Sequence, residues 1–225
     1  LWGFVFTGHT DIDAQTLNPI YWHGHEMIYG YALAIVAGFL LTAVKTWTGV
    51  MMPHGYKLLG IFVCWLLARL GWIAFALGVD IGIEQSAWLY IAAVFDLLFV
   101  GSMALVTFRA VLQVKQYKQM GILAKLALLT LGNGLCYWGV FSANMTMTKI
   151  GVYLGFYLII GLVLTIGRRV VPFFIERGLG TSNAAGVAET VTVRNSKVQD
   201  ITSLLFFLAF FITDLFYPNK YLLTI

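Results

Sequence analysis

Tyr21-Trp22-His23-Gly24-His25-Glu26-Met27 sets two histidines and a carboxylate side by side, immediately before a charge-free apolar run. A neutral imidazole nitrogen binds haem iron, copper or zinc, so metal chemistry is the first use to consider for this segment. On a regular helix, residues two apart diverge by about 200°, and His23 and His25 would face different ways. In an extended approach to the helix, alternate residues share a face, and the pair could hold one metal. A further arrangement gives each histidine its own centre, or pairs it with a ligand from another helix. The plainer reading is an interfacial belt. Tyr21 and Trp22 anchor at a membrane surface, histidines are tolerated where water is close, and Glu26 in a first helical turn is favoured by the helix dipole.

Arg69 and Asp96 form a second constellation, each the one charge in a long apolar stretch. Ionisable side chains inside a bilayer are costly and are usually paired or functional. Arg69 precedes Val79 by ten residues and Asp96 follows Ala87 by nine, which puts both about 14–15 Å below the same membrane boundary. Consecutive antiparallel helices joined by a short loop are neighbours. A buried Arg69–Asp96 ion pair is therefore predicted, as a contact that fixes helix register in preference to a proton or substrate path. Asn133, between Gly132 and Gly134, reads as an amide bonding across closely approaching helices, with cofactor contact as the alternative. Arg168 and Arg169 suit the C-terminal end of a helix that Pro172 stops or kinks, or an anion or lipid headgroup. Asp214 reads as a capping or snorkelling group, and Cys64 and Cys136 as apolar packing residues. There is no Walker loop, dinucleotide fingerprint or nucleophile elbow, so no catalytic residue is assigned.

The elements that carry these residues are membrane spans. Of 225 residues, 60% are apolar and 11% charged, against about 25% charged in soluble domains. Charge-free stretches reach the roughly 18 residues needed to cross a bilayer core. The expected fold is all-α, a polytopic transmembrane helix bundle of six spans plus the end of an earlier helix. The spans are predicted at about 27–44, 56–79, 87–108, 121–143, 149–171 and 201–217. Residues 1–225 form one transmembrane domain, expected to be a segment of a longer protein, with a cytoplasmic loop at 172–200. Sorting Lys and Arg by side gives eleven on one face (residues 45, 57, 109, 115, 118, 125, 168, 169, 177, 194 and 197). Two, Lys149 and Lys220, fall on the other, with Arg69 between. The positive-inside rule puts the eleven in the cytoplasm. The His-Gly-His-Glu segment then faces outward, which in a bacterial inner membrane is the periplasm. The net charge of +4 is explained by this topology and does not argue for nucleic acid.

The run from Tyr21 to Met27, followed by Ala37-Gly38-Phe39-Leu40-Leu41-Thr42-Ala43-Val44 and Trp47-Thr48-Gly49, resembles the NnrS family. Gly167-Arg168-Arg169-Val170-Val171-Pro172-Phe173-Phe174 is similar to a second stretch of that family's pattern. The resemblance implies a bacterial inner-membrane protein of about twelve helices, of which this chain is roughly the N-terminal half. It implies haem and copper as cofactors and a part in the response to nitric oxide. The metal positions it suggests are His23 and His25, with Glu26 as an accessory ligand or a group behind the ligands. Whether there is catalytic turnover is left open. The competing readings are a transporter with Arg69 and Asp96 lining a polar path, and a membrane scaffold for a redox partner.

Overall fold

The computed structural model describes residues 18–82, 84–179 and 197–216, and the described residues are helices joined by short turns. The helices are α1 (Pro19–Thr48), α2 (Tyr56–Ala76), α3 (Gln85–Gln113), α4 (Met120–Phe141), α5 (Met145–Leu179) and α6 (Lys197–Phe216). The first five are long and apolar enough to cross a membrane, and α6 carries a shorter apolar stretch, Thr202–Asp214. The predicted all-α transmembrane bundle is thus observed. Large apolar side chains stay exposed along α2, among them Phe62, Leu66, Leu70 and Ile73. A soluble helix would bury that stripe; a lipid-facing one leaves it outward.

Helix α1 begins at Pro19, eight residues before the predicted start of the first span. Asn18 caps it, its Oδ1 accepting from Ile20 N–H at 2.9 Å, and Pro19 supplies a first-turn residue with no N–H to satisfy. The His-Gly-His-Glu segment therefore lies inside the helix. At the other end of the chain, α5 runs through Pro172 to Leu179, where the sequence predicts a stop or a kink and then a loop. Proline interrupts one backbone hydrogen bond, a loss that membrane helices tolerate. Residues 180–196 of the predicted cytoplasmic loop lie outside the described residues.

The chain divides into two compact units, residues 1–159 and 160–225. In the first, α2 packs along α3, and α3 packs on both α1 and α4. Small residues line the α2–α3 seam, with Ala68, Gly71 and Ala76 of α2 and Ala92 and Ala93 of α3 all buried. Without a hydrophobic drive between spans, such close approach is what makes them adhere. Trp22, Trp72, Leu89 and Tyr137 complete an aromatic-rich core around it. Between α4 and α5 the approach is closer still. A Cβ on Gly151 would stand 2.6 Å from both Cys136 Sγ and Gly132 O, so only glycine fits there. The second unit comprises the remainder of α5 and α6, whose Leu205, Phe206 and Phe210 are exposed.

Candidate functional site

Four helices of the first unit bring their polar side chains to one place, next to the start of α1. There the helix widens: Glu26–Ala32 is a π-helical turn, and Leu33 N–H bonds back to Ile28 O, five residues earlier. Such a turn inserts a residue into the helix and re-aims the side chains around it. His25 and Tyr29 are buried on its inner side, and the Glu26 side chain is 18% exposed.

His25 is only 3% exposed. Its Nε2 stands 2.8 Å from Asn133 Oδ1 and 3.5 Å from Asp96 Oδ2, while Nδ1 stands 3.3 Å from Glu26 Oε1. Each ring nitrogen therefore faces a protein oxygen. Rings surround the imidazole, with centroids of Tyr29 at 5.1 Å, Tyr137 at 5.2 Å and Trp72 at 5.6 Å.

Arg69 enters from α2. Its Nη1 lies 3.0 Å from Glu26 Oε1 and its Nη2 2.7 Å from Asp96 Oδ1. The predicted Arg69–Asp96 pair is present, and Glu26 joins it. These contacts have ion-pair distances without hydrogen-bond alignment, so their attraction is Coulombic, strengthened by burial. Asp96, fully buried, also accepts from Tyr137 O–H at 3.0 Å, and Tyr137 in turn accepts from Trp72 Nε1 at 2.8 Å. Asn133 is the predicted interhelical amide, and its partner is His25.

Two further contacts hold the π turn. Trp65 Nε1 donates to Gly30 O at 2.8 Å, and Tyr29 O–H donates to Gly151 O at 2.8 Å. Gly30 also makes room for Arg69, because a Cβ there would run into the guanidinium. Tyr29, Trp72 and Tyr137 are members that sequence reasoning missed. A signal was present: each lies three or four residues beyond a polar member of its own helix (His25, Arg69 and Asn133), the spacing that shares a helix face. Of the other candidates, Arg168 is exposed and Asp214 half-buried in the second unit, and the side chain of Arg169 lies outside the described residues.

The donor set can be tested against the haem and copper that the resemblance implies. Because Pro19–His25 is α-helical, His23 and His25 diverge and do not chelate one metal. A metal on either ring nitrogen of His25 would have to displace the ring's contacts to Asn133 and Asp96 or to Glu26. The space beside the ring, lined by Trp22, Trp72, Cys136, Tyr137 and Thr148, has room on the order of one water, far short of a porphyrin. Among the described residues, no group of three His, Cys, Asp or Glu side chains is placed to hold a metal ion. His25 and Glu26 in this arrangement do not fit a metal centre.

No curated protein and no solved structure matches the chain. The family model described as NnrS protein matches residues 1–225. With the membrane-length helices, this whole-length match shows that the chain belongs to the NnrS family.

Proposed function

We propose that the chain is part of a haem- and copper-containing inner-membrane protein of the nitric oxide response, with the His-Gly-His-Glu end of α1 on the periplasmic side. The observation that carries this reading is the family match over the whole chain, which supports a nitric-oxide-response membrane protein at family level. The excess of Lys and Arg on the opposite face supports the orientation. Haem would supply an iron that binds the gas, and copper a second redox centre. Within the motif His23 is the candidate to reach a cofactor, since it diverges from the buried cluster. Arg69 and Asp96 are taken up in a closed set of contacts with Glu26, His25 and Tyr137, which favours a structural role for them over a transport path.

The test is a reduced-minus-oxidised absorption spectrum and metal analysis of the purified full-length protein, with nitric oxide added to the reduced form. Haem bands that shift with the gas, together with bound copper, are expected. A protein purified under mild conditions with neither iron nor copper would remove the reading. Loss of haem or copper in His23→Ala would assign that ligand.

A further inference from the structure

We infer that His25 and Glu26, half of the motif that most suggests a metal site, are not metal ligands but members of a metal-independent charge cluster that fixes α1 against α2, α3 and α4. Four observations converge on this. The first is chemical. Both ring nitrogens of His25 are engaged by the protein's own oxygens, Nε2 by Asn133 Oδ1 and Asp96 Oδ2 and Nδ1 by Glu26 Oε1, so a metal would have to displace one of these contacts.

The second is electrostatic. Glu26 Oε1 is shared between Arg69 Nη1 at 3.0 Å and His25 Nδ1 at 3.3 Å. Arg69 already sits between Glu26 and Asp96, at ion-pair distance from both. A copper or iron ion on Glu26 would set a second cation against that guanidinium, where low polarity magnifies repulsion.

The third is steric. The rings of Tyr29, Trp72 and Tyr137 crowd His25 on several sides. The fourth lies in residues that no metal site requires. Gly30 leaves the space that the Arg69 guanidinium fills, and Trp65 bonds the Gly30 carbonyl within the π turn. These features serve the crossing of Arg69 over α1, and that crossing is what brings the charge to Glu26.

The inference stands whether or not haem and copper are present elsewhere in the protein. It is tested in the full-length protein with His25→Gln, Glu26→Gln, Arg69→Gln and the double variant Glu26→Gln with Arg69→Gln. Thermal midpoint in detergent and iron and copper per folded chain are read for each. The single variants are expected to melt below the native protein, with metal content per folded chain unchanged. The double variant is expected to recover part of what Arg69→Gln loses, because it removes both partners of one ion pair together.

A folded His25→Gln or Glu26→Gln protein that holds clearly less iron or copper per folded chain than the native protein would overturn the inference. If the single variants do not yield folded protein, the double variant decides: recovery supports the cluster, and no recovery overturns it. Should the native protein prove to hold no metal, the nitric oxide reading loses its cofactors, while the melting comparison still tests the cluster.

Discussion

At the scale of single residues, Tyr137 shows how the cluster is joined. Its hydroxyl accepts from Trp72 and donates to Asp96, so one oxygen connects α2, α3 and α4. Tyr137→Phe would leave a buried indole N–H without its partner and remove a donor from a buried carboxylate. Such losses cost about 1–3 kcal/mol when groups are left unsatisfied. Thermal unfolding in detergent should show that destabilisation, and an unchanged midpoint would mean that neighbouring groups re-pair. The aspartate it serves was identifiable beforehand, since Arg69 and Asp96 sit at matching depths on consecutive helices. The tyrosine carried only its place one helical turn beyond Asn133 as a signal, and nothing in the sequence pairs it with an aspartate 41 residues away.

At the scale of elements, the π turn at Glu26–Ala32 governs which way the motif points. Glycine at position 30 lets Arg69 pass over α1, and the guanidinium is held on both sides, so it cannot simply swing away. Gly30→Ala should therefore destabilise the fold by roughly 1–3 kcal/mol, the usual cost of inserting bulk into a packed site. A midpoint equal to that of the native protein would show that Arg69 has another place to go. The helix start was readable in principle, since Asn18-Pro19 is a capping residue followed by a first-turn proline. The apolar run drew the boundary to Met27 instead, because hydropathy marks where lipid begins and not where a helix does. A π turn has no comparable sequence signature; it arises from the contacts the helix must make.

At the scale of the whole molecule, the loop charges predict an orientation that labelling can read. Ile81 precedes α3 and Tyr117 follows it, and both are well exposed. Helix α3, at 29 residues and 1.5 Å each, is about 43 Å long, enough to put those two positions on opposite sides of the bilayer. A membrane-impermeant maleimide applied to intact cells should label Ile81→Cys and should reach Tyr117→Cys only after the membrane is opened. The reverse pattern would invert the topology and place the His-Gly-His-Glu segment in the cytoplasm.

The feature that first suggested chemistry, His23-Gly24-His25-Glu26, marks the division between sequence and packing. Composition and charge-free length dictate a membrane helix bundle, since a chain with so few charges and such long apolar runs has no other way to satisfy its backbone in lipid. Loop charges add an expected orientation, and two isolated charges at equal depth yield an ion pair. The roles of the two histidines did not follow from their spacing, which permitted a shared metal, separate centres or none. Packing separated these possibilities. The α-helical start turns His23 and His25 apart, and the π turn aims His25 and Glu26 at Asn133, Arg69 and Asp96. Those partners lie tens of residues or more along the chain, and their side chains meet only when four helices come together.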